Sequence, residues 1–141
     1  MEPIKIIECP RDAMQGIKTF IPTARKVSYI QALLRVGFDS IDFGSFVSPK
    51  AIPQMQDTAA VLDQLDLSKT DSKLLAIIAN VQGAKDAASH EPIQYLGFPF
   101  SISENFQMRN THKTIAESLV TLQEILEIAD QNQKEVIAYL S

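Results

Sequence analysis

Segments with the two-residue period of a strand alternate with segments of helical period along this chain, and that alternation restricts its fold more than any single residue does. IKIIE at the start interleaves the β-branched Ile4, Ile6 and Ile7 with Lys5 and Glu8, as a strand does. After a loop over GIKTFIP, Thr23 is placed to cap a helix whose stripe runs Val27, Ile30, Leu33, Leu34, and Gly37 stands where a helix ends. A second strand is expected over Ser40 to Phe46, then a short helix over Thr58 to Leu67. KLLAIIA, Lys73 to Ala79, is the near-continuous apolar run of a strand covered on both faces. A helix weakened by Gly83 follows over Gln82 to Ser89, and a fourth strand over Ile93 to Phe100. SISENFQMRNTHK reads as a polar loop. Thr114 and Glu117 form a capping-box pattern before the longest helix, with Ile115, Leu119, Leu122, Leu126 and Ala129 as its expected stripe. EVIAYL, Glu135 to Leu140, is a fifth strand.

Strand–helix four times and then one more strand implies an α/β fold with a parallel sheet and right-handed crossovers. Either an open doubly wound sheet or part of a (β/α)8 barrel satisfies that order. A whole barrel takes about 250 residues. The 141 residues here would supply a little over half of one, ending on a strand without a covering helix.

Composition removes several partner classes. A net charge of -4 without a basic run argues against nucleic acid. No segment is apolar for long enough to span a bilayer, and MEPIKIIE lacks a signal-peptide core. A lone cysteine, Cys9, excludes an internal disulfide framework and fits a reducing, cytoplasmic setting. There is no G-x-G-x-x-G after the first strand and no phosphate loop of the Walker type. His90 and His112 stand apart at loops, and Met14, Met55 and Met108 read as packing.

Polar residues gather where the strands end. Arg11, Asp12 and Gln15 follow the first strand, Asp42 and Ser45 close the second, Asn80 ends the third, and Ser103, Glu104 and Asn110 follow the fourth. In parallel α/β sheets that end carries the chemistry. Pro10 stops regular pairing, and an extended backbone would put Arg11 and Asp12 on opposite sides. A carboxylate there can hold a divalent cation while a guanidinium clamps an oxyanion. An ordinary strand end with a surface ion pair explains Arg11 and Asp12 equally well, taken alone.

PRDAMQ, Pro10 to Gln15, resembles the first-strand signature of the hydroxymethylglutaryl-CoA lyase family. SFVSPK, Ser45 to Lys50, followed by Ile52, Pro53, Gln54, Met55 and Asp57, resembles it more specifically, and the likeness runs on through AIIANVQGAKDAA to SENFQMRN. The resemblance implies that residues 1–141 are the N-terminal part of a single (β/α)8 TIM-barrel lyase domain, strands one to five. It implies a metal-dependent retro-Claisen cleavage of an acyl-CoA to acetyl-CoA and acetoacetate, with Mg²⁺ or Mn²⁺ as cofactor. Asp12 then matches the metal ligand, Arg11 the arginine that meets the developing enolate, and Gln15 a polar residue of the same loop. Asp42 stands where the family has Glu, supporting that arginine. Ser45, Asn80 and Asn110 match polar positions around the substrate. Cys9 for Gly, Ala13-Met14 for Gly-Leu and Asp42 for Glu depart from the pattern. The family's histidine pair, mobile-loop cysteine and late asparagine lie beyond the fifth strand. Two other readings stand beside the lyase: an inert fragment or binding module, and a related acyl-CoA carboxylate synthase. The isolated chain is expected to be inactive and to form a homo-oligomer, most simply a dimer.

Overall fold

The structure, a computed structural model, describes residues 4–141. Its strands, β1 (Ile7–Glu8), β2 (Ser40–Ser45), β3 (Lys73–Ile77), β4 (Ile93–Phe100) and β5 (Glu135–Leu140), lie in the order β1-β2-β3-β4-β5. Neighbours in sequence are neighbours in the sheet, which is what parallel strands joined by helical crossovers produce. Contacts divide the chain into two compact units, Met1–Leu75 and Ala76–Ser141.

In the first unit, β1 pairs in parallel with β2, Ile7 opposite Ser40 and Glu8 opposite Ile41. The expected opening strand shrinks to these two residues, and Ile4 and Ile6 are exposed. A second correction concerns PRDAMQ, which is not extended. It forms helix α1 (Pro10–Gln15), with Pro10 in the first turn, where its missing N–H costs nothing. The same proline that ends the strand therefore starts a helix. Helix α2 (Thr23–Leu34) buries Ile30 and Leu34. Its N-cap is Pro22, not Thr23; Thr23 instead turns its hydroxyl to Asp57, 2.7 Å away. Every residue of β2 is buried. Gly44 sits there because α3 (Thr58–Leu62) approaches so closely that a Cβ would lie 2.5 Å from the Thr58 methyl. Helix α3 is shorter than the run to Leu67 expected for it. A 3-10 turn, Pro53–Met55, precedes it.

In the second unit, β4 and β5 pair in parallel from Tyr95 opposite Glu135 to Phe100 opposite Leu140. Ile78 donates its N–H to Gly97, beside this pair. Helix α4 (Val81–Ala88) turns Ala84 and Ala87 inward, and these small residues admit α6 (Ile115–Gln131) at close range. Part of the expected polar loop is a helix, α5 (Glu104–Thr111), capped by the Ser103 hydroxyl. Gln107 of α5 is buried and ties three groups: it accepts from the Ser101 N–H at 2.8 Å and donates to Thr111 at 3.0 Å and to Ser118 at 2.6 Å. Of the expected α6 stripe, Ala129 is buried and Leu122 half-buried, and the rest of the inward face differs. Ser118, Thr121, Ile125 and Ala129 face inward, while Leu119 and Leu126 stay about half exposed, at 52% and 50%.

Candidate active site

The site is built on α1 and β2, both in the first unit. Arg11 follows Pro10 in the first turn of α1, and its guanidinium reaches Asp42, which no solvent touches. Nε donates to the two carboxylate oxygens at 3.1 and 3.2 Å, and Nη2 donates to Oδ2 at 2.6 Å. On its other edge, Nη1 donates to Gln15 Oε1 at 2.8 Å and to Asp12 Oδ1 at 3.2 Å. Gln15 returns a bond from Nε2 to the same Asp12 oxygen, at 3.1 Å. Arg11 and Asp12 thus lie on one side of a helical turn, in contact, and not on opposite sides of a strand.

The two carboxylates differ. Asp42 is desolvated, and a planar fork meets its carboxylate on two nitrogens, the geometry a buried ion pair needs. The Asp12 side chain is 65% exposed, and the hydrogen bonds found for it fall on Oδ1. It is the carboxylate of this group placed to receive a ligand. A hard divalent cation takes about six oxygen donors. Among the described residues no three His, Cys, Asp or Glu side chains gather to hold a metal ion. The donors among the described residues therefore do not complete such a site.

Cys9 lies directly before α1, and burial, together with the Asp42 charge, pushes its thiol above the ordinary value; the Arg11 charge opposes this and loses. A raised thiol is a poor nucleophile at neutral pH, in keeping with a packing role.

Four of the seven residues singled out from the sequence, Arg11, Asp12, Gln15 and Asp42, are thus one hydrogen-bonded cluster. Ser45 lies on β2 three residues after Asp42 and is buried. Its hydroxyl accepts from the Val47 N–H at 3.1 Å, which turns the chain after the strand. Asn80 and Asn110 belong to the second unit. Asn80 caps α4, its Oδ1 accepting from the Gly83 N–H at 2.8 Å, and Asn110 is exposed on α5.

Sequence reasoning missed the neighbouring cluster. Lys26 is 2% exposed, with its ammonium 2.6 Å from Asp57 Oδ1, bonded to the Gln54 carbonyl and 4.1 Å above the centre of the Phe20 ring. A lysine in the run TARKVSYI looks like a solvated face. Its spacing to Ile30 on one helical side was the available signal.

No family model matches the chain. Similar proteins and structures are found nonetheless. The mitochondrial hydroxymethylglutaryl-CoA lyase of Arabidopsis thaliana is 34% identical over 139 residues, 98% of this chain and 29% of the relative. The 3-hydroxy-3-isohexenylglutaryl-CoA/hydroxy-methylglutaryl-CoA lyase of Pseudomonas aeruginosa is 33% identical, over 98% of this chain and 46% of the relative. The crystal structure of hydroxymethylglutaryl-CoA lyase from Pseudomonas aeruginosa superposes with a TM-score of 0.88 at 32% identity, covering 97% of this chain and 45% of the other. The lyase of Acinetobacter baumannii, solved with coenzyme A and 3-methylmalate, gives 0.87 at 32% identity, over 96% and 44%. These relatives and solved structures are hydroxymethylglutaryl-CoA lyases, and this chain resembles them over nearly its whole length. Its five parallel strands match the N-terminal half of the lyase (β/α)8 barrel. The chain spans under half the length of these relatives.

No described helix is long and apolar enough to cross a membrane. The relatives include both mitochondrial and cytoplasmic lyases by name.

Proposed function

We propose that this chain is the N-terminal part of a single metal-dependent lyase domain, which cleaves a 3-hydroxy-3-methylglutaryl-type acyl-CoA to acetyl-CoA and acetoacetate in the cytoplasm. The observation that carries the reading is the Arg11–Asp42 pair, an arginine fixed on two nitrogens by a buried carboxylate beside an exposed one. In a retro-Claisen step the substrate's tertiary hydroxyl loses its proton and becomes the ketone of acetoacetate. The carbon–carbon bond electrons pass to the thioester, which leaves as an enolate and takes a proton at carbon. A preformed cation beside the enolate oxygen lowers that barrier without reorganising. Arg11 supplies the positive charge, and Asp42 holds it in place through its rear edge. Gln15, on Nη1, orients the edge that faces outward. We assign Asp12 to a divalent cation, Mg²⁺ or Mn²⁺. The further ligands, and the groups that move the two protons, we assign to the remaining part of the barrel, on which activity would depend. Ser45, Asn80 and Asn110 are assigned to the substrate's surroundings.

The test is to supply residues 1–141 with the C-terminal half of a relative and measure acetoacetate release with and without divalent cation. Arg11→Ala should lower kcat by about a hundredfold or more and change KM little, because the charge it meets arises in the transition state. A loss confined to KM removes Arg11 from that role.

One observation favours the second reading, an inert module that binds or self-associates as a dimer. Arg11 is engaged on both edges within its own unit, by Asp42 and by Asp12 with Gln15. A lyase must free the Nη1 hydrogen that Asp12 holds, leaving the one on Gln15 in place; an inert module need not. Failure of every completed form to turn over, with metal present, would leave the inert module.

A further inference from the structure

The cluster that the sequence did not reveal grips the segment leading out of α1. Gln54, in the 3-10 turn, is 3% exposed, and its side-chain amide spends all its polar groups on the backbone of residues 17–21. Oε1 accepts from the Ile21 N–H at 2.8 Å, and Nε2 donates to the Ile17 carbonyl at 2.8 Å and the Thr19 carbonyl at 3.0 Å. Lys26 holds the same residue from the other side through its carbonyl. Asp57 joins Lys26 to Thr23, so the cross-link is anchored in the first turn of α2. Ile17, the first residue gripped, bonds back to Met14 of α1 at 3.0 Å. Gln15 lies between them and makes the 2.8 Å bond to Arg11 Nη1. Gln15 and Gln54 both line a cavity of about 200 Å³.

We propose that Gln54 is a positioning residue for Arg11, acting through the C-terminal end of α1. The inference rests on the reading of Arg11 as the group that meets the developing oxyanion. A six-residue helix has too few internal bonds to be stable alone. Its two ends are set by what they are tied to. Asp42 ties the N-terminal end through Arg11, and Gln54 ties the C-terminal end through Ile17. With Gln54 released, Gln15 drifts from Nη1 and the guanidinium gains freedom about its bond to Asp42. Amides that cross-link two segments by three bonds act as one unit, so the effect is cooperative.

Hydrogen exchange of the arginine side chain reads this without any turnover. In chain uniformly labelled with ¹⁵N, the Arg11 Nε–H signal is assigned by its loss in Arg11→Lys. It should be protected, because Nε donates into a buried carboxylate. Gln54→Glu keeps the acceptor for Ile21 and removes the two donors; Gln54→Ala removes all three bonds. Both should speed Arg11 Nε–H exchange by about tenfold or more. The control is Gln31→Ala, which deletes another glutamine cross-link of the same unit, that to the Asp66 backbone N–H and carbonyl. It should leave Arg11 unchanged. Unaltered Arg11 exchange in a folded Gln54 variant overturns the proposal, and so does equal acceleration in Gln31→Ala, which means general loosening. A measurement without substitution covers variants that do not fold. In low urea the Gln54 side-chain N–H₂ and Arg11 Nε–H of the unaltered chain should lose protection together. Protection of Arg11 that outlasts Gln54 overturns the proposal. A coupled opening in a chain that never yields a lyase would reject the functional reading and leave the coupling standing.

Discussion

At the scale of single residues, the energetic weight falls on Asp42. It is wholly buried and accepts three hydrogen bonds from Arg11. Such a pair adds little over a well-packed apolar pair, yet removing one partner strands the other charge in a dry site. Asp42→Ala should therefore cost about 3–5 kcal/mol of stability, read from urea unfolding. Arg11→Met should fare better than Asp42→Ala, because a carboxyl can take up a proton and become neutral while a guanidinium cannot. Equal or reversed costs would place the pair in a wetter setting than the structure shows. Cys9 gives an independent check of that dryness. With its thiol raised by burial and by Asp42, alkylation should be slower at neutral pH than for an unfolded peptide, with the rate rise displaced to higher pH. Asp42→Asn removes one cause of the shift and should draw the profile back toward neutral.

At the scale of elements, two residues decide how helices meet the sheet. Gly44→Ala would force a Cβ to within 2.5 Å of the Thr58 side chain. Thr58 cannot swing away freely, since its hydroxyl accepts from the Ser45 N–H and donates to the Met55 carbonyl. The substitution should cost about 1–3 kcal/mol through overpacking, and Thr58→Ala beside it should recover part of the loss. The second residue is Thr114. It caps α6, and Glu117 returns the bond, the reciprocal pattern read from the sequence. Those bonds lower the Glu117 carboxyl below its ordinary 4.5. A lowered carboxylate stabilises the fold at pH values above 4.5, and the gain fades as pH falls through the folded value. Thr114→Ala should thus cost about 1 kcal/mol near neutral pH and less in acid, measured by denaturant unfolding at both. The capping box was legible because it depends only on residues three apart. The strand from Lys73 was legible because burial on both faces leaves a near-continuous apolar run. Helices α1 and α5 were not. Each is six to eight residues of polar sequence whose helicity comes from a proline or serine at its start and from tertiary partners such as Asp42 and Ser118. The site residues were found because their types are unusual at a strand end. Lys26 was missed, and Gln54 was read only as part of a motif, because a buried polar residue looks solvated until its partners, 31 and 37 positions away, are known.

At the scale of the whole molecule, the question is what the 141-residue polypeptide does by itself. In its second unit Leu119, Val120 and Leu126 lie along α6 at 52%, 62% and 50% exposure, and Phe106 of α5 is 51% exposed. Leu119 and Leu126 are seven apart, two helical turns on one side, so they form a stripe and not scattered exposure. β5 is the last strand of the order, pairing with β4, and its Leu140 is 72% exposed. An apolar stripe with an edge strand in the same unit favours association. Fully burying a leucine gains roughly 1.5–3 kcal/mol, and these two, already half covered, gain about half of that each, so two such stripes meeting across a two-fold axis offset part of the cost of association. The polypeptide should therefore elute above its monomer mass at micromolar concentration, most simply as a dimer, with light scattering giving the mass. Leu119→Lys with Leu126→Lys places charges on that stripe and leaves the inward Ile125 and Ala129 untouched. It should shift the chain toward monomer without lowering its helix content by circular dichroism. A monodisperse monomer before substitution would mean the stripe is tolerated by itself. Dimers that persist in the double variant would move the contact to the β5 edge, where Ala138→Pro, which removes a ladder donor, is the next test.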